Sequence, residues 1–184
     1  MATIGLRDLY RAAITEAAGV ETYGTPTRMA KAISAELSVE VAEAPLYADD
    51  AIDAIVKEFV SGELTLNVND LLPADLAALL GQTQDDDNVV YAGENDAPPY
   101  FAIGFKAKKA DGTYKYIWLY KVKFGIPDES YTTKGDSIEF STPTIVGTIV
   151  KRPDGLWKAE HVGGATGDTV AAAWFTAVRE PNNE

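Results

Sequence analysis

An antiparallel, mainly β fold, drawn as a β-sandwich or partly closed barrel with one short flanking α-helix, follows from three observations. From Tyr114 to Phe124 the even positions are all large and apolar while Lys115, Lys121 and Lys123 fall on odd ones, the two-residue period of a strand. Ile33, Ala35, Leu37, Val39 and Val41 alternate with Ser34, Glu36, Ser38 and Glu40, which predicts one buried face and one acidic, hydrated face. Turn chemistry punctuates the rest, as in Asp111-Gly112-Thr113 and Pro153-Asp154-Gly155.

The elements follow in order. Leu6 to Gly19 is Ala-rich enough for a helix, and Thr22 to Thr27, with its Tyr, Gly and Pro, is a turn or loop. Ala44 to Asp50 places Pro45 and paired Asp at turn positions and predicts a loop between strands. In Ala51 to Val60 the residues Ile52, Ile55, Val56, Phe59 and Val60 fit a helical stripe better than strict alternation. Leu64, Leu66 and Val68 then alternate with Thr65, Asn67 and Asn69, a strand again. The helix is spelled by Asn69-Asp70 as cap candidates, Pro73 in the first turn, Leu76, Leu79 and Leu80 on one face, and Gly81 as the stop. Gln82 to Asn88 is a solvated loop; strands follow near Val89 to Tyr91, Tyr100 to Ala107, Tyr114 to Phe124 and Ser137 to Val150, with Pro143 marking a bulge or edge. The turn at Lys151 to Gly155 pairs the last of these with Leu156 to Val162. Gly163, Gly164 and Gly167 loosen the chain before an apolar end, where Trp174 and Phe175 are expected to dock on their own sheet or on a neighbouring subunit.

With 184 residues, 46% of them hydrophobic, the chain suits one well-buried domain. Cysteine is absent, which excludes disulfides, thiolate metal sites and thiol nucleophiles. No run reaches about 18 apolar residues, and Met1 to Arg11 lacks a secretory pattern, so a soluble chain made in the cytosol without a membrane partner is expected. The net charge of -12 is concentrated: Ala35 to Asp96 holds 15 acidic residues against the single base Lys57. Such a block disfavours nucleic-acid binding, which needs cations to displace counterions from phosphate.

No catalytic, cofactor or metal site is expected. Asp85, Asp86 and Asp87 are consecutive and lack the spacing of a calcium loop, and Asp49-Asp50 fares the same. His161 is the only histidine and is read as structural or surface-placed. Acid pairs of the kind used in glycoside hydrolysis cannot be picked out by abundance alone. Lys106, Lys108, Lys109, Lys115, Lys121 and Lys123 interleave with aromatics, but the two-residue period is expected to separate rings from lysines, leaving the lysines to meet the acidic third of an adjacent subunit. The segment Gly163 to Asp168 lacks the Gly-Lys-Ser/Thr of a phosphate loop.

The order of R-D-L-Y-R-A-A-I-T, L-Y-A-D-D, L-T-L-N-V-N-D-L-L-P-A-D-L-A-A-L-L-G, A-P-P-Y-F-A-I-G-F and T-T-K-G-D-S-I-E-F resembles the major tail tube proteins of long-tailed, non-contractile bacteriophages, in the group called phi13-type. These strings extend over about four-fifths of the chain. The resemblance implies a single tail-tube domain over 1–184, with an extended N-terminal arm or edge strand (about 1–30), an inter-strand loop (44–51) and a C-terminal segment (about 163–184). It makes Ala51 to Val60 a strand, hairpinned through Ser61-Gly62 onto Glu63 to Asn69. It also implies a non-enzymatic virion protein, made in the host bacterial cytoplasm, whose hexameric rings stack into a conduit for DNA ejection without binding DNA specifically. Tape-measure and tail terminator or tip proteins would be its other partners. Within that frame Glu36, Glu40 and Glu63 are expected to face the lumen. Pro45, Leu46, Tyr47, Asp49, Asp50, Trp174 and Phe175 are expected at subunit or ring contacts. The alternative is a monomeric β-sandwich that serves as a binding or virion decoration module.

Overall fold

The computed structural model describes residues 2–17, 19–48, 51–129, 133, 142–164 and 167–181. Alternating segments become strands β1 (Thr3–Ala17), β2 (Val20–Tyr23), β3 (Thr27–Arg28), β4 (Ala32–Ala48) and β5 (Ala51–Val68). Helix α1 (Pro73–Leu80) follows, then β6 (Thr83–Gln84), β7 (Val90–Tyr91), β8 (Tyr100–Lys109), β9 (Tyr114–Phe124), β10 (Thr144–Ile149), β11 (Lys158–Gly163) and the short helix α2 (Thr169–Ala173). One antiparallel sheet runs β2-β1-β8-β9-β10-β5-β4, with β3 added to β1 and β11 to β9, while β6 and β7 form a separate pair. The sheet curls until β1 comes close to β4, yet the two do not pair among the described residues, so the barrel stays open.

The concave side holds the main core: Leu9 of β1, Leu64, Leu66 and Val68 of β5, Ile103 of β8, Phe124 of β9 and Ile149 of β10. Burial of these aliphatic and aromatic side chains is the chief force closing the sheet. Helix α1 presses Leu79 and Leu80 into that core. Pro73 begins it and Gly81, at φ 70°, ends it by donating its N–H to the Ala77 carbonyl. Neither predicted cap, Asn69 or Asp70, is used; the N-cap is Leu72, with no side-chain bond to the helix. Asn69 Oδ1 accepts from the Lys31 N–H at 2.9 Å, tying the helix entry to the start of β4. Arg11 instead anchors the first turn, 2.8 Å from Asp75.

Strand β9 departs from simple alternation. Phe101 pairs with Val122 but Ile103 with Leu119, so β9 carries one extra residue there, a bulge that reverses its faces. Before it, Ile117 and Leu119 point to the main core and Tyr116, Trp118 and Tyr120 to the convex side; after it, Val122 and Phe124 turn inward. The even-numbered aromatic row therefore divides between two cores, and β9 is covered on both sides.

Several expectations are corrected. Leu6 to Ala17 is strand and not helix, and it is no free arm, because β1 lies between β8 and the short β2 and β3. The loop expected over 44–51 shrinks, since β4 continues to Ala48 and pairs with β5 as far as Ala48 opposite Ala51. Ala51 to Val60 is strand, as the resemblance implied, but it does not hairpin through Ser61-Gly62. Those residues lie inside one continuous strand, opposite Glu40 and Val39. The helical stripe yields because cross-strand hydrogen bonding to β4 outweighs a weak local preference. β11 pairs with β9 and not with the strand before it: β10 and β11 take successive stretches of the same β9 edge. Of the strand expected over 137–150, Thr144–Ile149 is seen, and residues 137–141 lie outside the described residues.

Candidate functional site

The register of β4 on β5 builds an acidic strip. Glu36 stands opposite Thr65, Ser38 opposite Glu63 and Glu40 opposite Ser61, so the three glutamates singled out in the sequence share one face, and all three are exposed. The Ser61 hydroxyl donates to Glu40 Oε2 at 3.0 Å. β10 continues the face with Thr144, Val146 and Thr148, opposite Asn67, Thr65 and Glu63. One member escaped the sequence reading. Val41 pairs with Phe59 while Glu40 pairs with Ser61, so Val60 is an extra residue that brings Glu58 onto the glutamate face. By simple alternation from Glu63, Glu58 would fall on the opposite side. A strip of exposed carboxylates of one sign repels polyanions.

Beyond the bulge, β4 and β5 pair only with each other among the described residues and leave the sheet as a two-stranded ribbon. An isolated two-stranded ribbon is marginal in water. This one is held at its base by Phe59 stacked on Trp157, with ring centroids 4.6 Å apart, and by Lys57 2.9 Å from Glu43. It nonetheless shows Val41, Ile55, Val56 and Val60 to solvent, each about half exposed. The apolar side of β4 was expected to be buried. Ala35 does pack on the main core, but Leu37, Val39 and Val41 remain partly in water on this edge strand, and Ile33, an extra residue at the shift between Ala32 and Ser34, is 53% exposed. Pro45 is exposed on the ribbon opposite Ile55, Leu46 and Tyr47 belong to its β4 strand, and Asp49 and Asp50 lie outside the described residues.

The C-terminal segment docks on its own sheet. Trp174 is buried against Tyr116, Trp118 and Tyr120, and Phe175 stacks on Tyr10 at 4.6 Å. The Trp118 indole N–H donates to the Trp174 carbonyl at 3.0 Å, and the Tyr120 hydroxyl to the Arg179 carbonyl at 2.6 Å. Trp174, expected at a subunit contact, thus turns its surface inward. Arg152 clamps the same region, 2.9 Å from Glu180 and over the rings of Tyr120 and Tyr23. Burial pushes the phenols of Tyr23 and Tyr120 above their usual range.

His161 meets Asp168 at 3.0 Å, a partner that sequence reading missed because a glycine-rich loop brings them together. A Cβ on Gly163 would stand 1.8 Å from an Asp168 oxygen, so only glycine permits this approach. Asp168 also caps α2 by accepting from the Ala171 N–H at 2.9 Å, and it accepts from the Gly164 N–H at 3.0 Å. The backbone N–H of Ala171 first, then His161 and Gly164, holds its pKa at about 2. A carboxyl below its ordinary 3.8 stabilises the fold above that pH, and the contribution is lost as pH falls through about 2. Hydrogen exchange should therefore show residues 169–178 losing protection between pH 4 and 2 ahead of β5 and β9, with the step flattened in Asp168→Asn. A segment that opens only together with the core would refute this.

The expected separation of lysines from rings does not hold across strands. Lys106 and Lys108 of β8 lie opposite Tyr116 and Tyr114 of β9, and Lys121 and Lys123 sit 4.8 and 5.5 Å from the Tyr100 ring centroid. A period of two sorts side chains within one strand, whereas pairing sets the parity between strands. Much of this charge is matched within the chain: Lys106 lies 2.6 Å from Asp8, Lys115 3.0 Å from Glu160, and Lys121 pairs with Glu21. Asp85 serves its own turn: it accepts from the Val89 N–H, the Tyr91 hydroxyl and the Asp87 N–H, which together lower its pKa. Among the described residues no helix is long and apolar enough to cross a membrane. Comparison with known proteins finds no family model and no curated protein that matches the chain.

Proposed function

We propose that this chain is a self-assembling structural subunit, the major tube protein of a phage tail, whose hexameric rings stack into a conduit for DNA. The observation that carries the reading is the β4–β5 ribbon, whose edges are unpaired among the described residues, with half-exposed Val41, Ile55, Val56 and Val60 next to the part-exposed Leu37 and Val39 of β4. An unpaired ribbon with exposed apolar side chains is a ready surface for other protein, and a closed ring of identical chains would cover it. The strip of Glu36, Glu40 and Glu63 suits a lumen through which DNA slides without adhering. The stoichiometry, the place in the virion tail and the tape-measure and terminator or tip partners rest on the resemblance of the sequence. A monomeric binding or decoration module is the rival reading.

Electron microscopy and solution mass over a range of concentrations test the proposal. The full chain is expected to give six-fold rings or tubes with a hole wide enough for duplex DNA. A variant in which residues 42–58 are replaced by Asn-Gly is expected to remain a folded monomer, since the core strands of β5 begin beyond the cut. A full chain that stays monomeric at every concentration would favour the rival.

A further inference from the structure

The seam where the curled sheet fails to close is a second unpartnered surface. Between β1 and the start of β4 lies a cleft of about 360 Å³, its floor made by Leu6, Ala30 and Ala32. Along its rim stand Arg7, Arg28 and Lys31. One acid, Asp8, answers this rim, bonded to Arg28 at 3.0 Å and to Lys106 at 2.6 Å. Asp8 sits at the β1 bulge with φ 54°, so its carboxylate is fixed in place by the backbone turn that the bulge requires. With Lys106 included, four bases surround one acid, in a chain whose net charge is -12. The cleft reaches Ala32, the first residue of β4, and the next residue, Ile33, is exposed.

We propose that this trough receives the β4–β5 ribbon of a second copy of the chain. The proposal rests on the self-assembly reading and names the surface that accepts the ribbon. The ribbon matches the trough in both of its properties. Residues 41–60 carry five acids and one base, opposite in sign to the rim. The ribbon face that bears Glu58 is otherwise small and apolar, with Ala42, Ala44 and Val56 side by side, and it suits the narrow aliphatic floor. Glu58 then meets the rim guanidinium groups, for which a carboxylate is the natural partner. Ribbon and trough are different patches, so the contact is head-to-tail. Such contacts propagate from copy to copy until they close into a ring or extend as a stack.

The absence of cysteine makes the test direct, because single-cysteine variants can form disulfides only between chains. Lys31→Cys on the rim and Val56→Cys on the ribbon are mixed under mild oxidation, with Val162→Cys, an exposed site on β11, replacing the rim variant as control. The 31–56 disulfide is expected at about ten-fold the control yield, since docking raises the local thiol concentration. Rings or tubes of the wild-type chain together with control-level 31–56 crosslinking overturn the trough and leave self-assembly standing. A wild-type chain that does not assemble, together with control-level 31–56 crosslinking of the cysteine variants, overturns both.

Discussion

Trp174→Ala is expected to lower the unfolding free energy by about 3–5 kcal/mol, the loss typical of a large buried aromatic. Trp174 is 3% exposed and lies at the centre of the convex core, with ring centroids 5.9 Å from both Tyr116 and His161. Helix α2 has five residues, too few to hold itself together without the sheet beneath it. The substitution should release the segment locally before the whole chain unfolds, exposing Tyr116, Trp118 and Tyr120. Denaturant unfolding would give the loss, and a red shift in the emission of Trp118 would report the uncovered sheet. Trp174→Phe, which restores much of the apolar contact, should recover most of the stability. A loss under about 1 kcal/mol for the alanine variant would mean that the segment contributes little to folding.

Lys121→Met is expected to cost a similar amount, about 3–5 kcal/mol, for an electrostatic reason. Glu21 is the buried charged residue of the described chain, and its Oε1 is held by the Lys121 ammonium while Oε2 has no partner among the described residues. Removing the lysine leaves an uncompensated carboxylate in a low-dielectric setting between β2 and β9. The double variant Lys121→Met with Glu21→Leu should return close to wild-type stability, because the pair spends much of its mutual attraction on desolvation. A double-mutant cycle by chemical denaturation measures the coupling. If the two single losses simply add, the pair is not a coupled buried unit and the argument fails.

Local pattern was most legible where a strand keeps one face to the core. Leu64, Leu66 and Val68 are buried as their alternation predicts, with Glu63 outside, and α1 starts at Pro73 and stops at Gly81 as its residues dictate. Glu36 and Glu40 share a face by the alternation of β4, while it is the register with β5 that adds Glu63 to it. Failures arose where an extra residue or a distant partner decided the outcome. The bulge in β9 split the aromatic row, Val60 moved Glu58 to the glutamate face, and pairing with β4 made a strand of Ala51 to Val60 despite its helical stripe. Asp168 finds His161 through a loop whose composition hints only at flexibility.

By itself the sequence determined the secondary-structure class, the concentration of negative charge in one third of the chain, and the absence of thiol chemistry, because these follow from residue type and short-range period. Tertiary structure alone decided which strands are neighbours, how far the apolar side of β4 stays in water, and that Trp174 is buried against its own chain. Those outcomes depend on register and closure, where a one-residue shift exchanges every inward and outward side chain, and no local pattern encodes where the shift occurs.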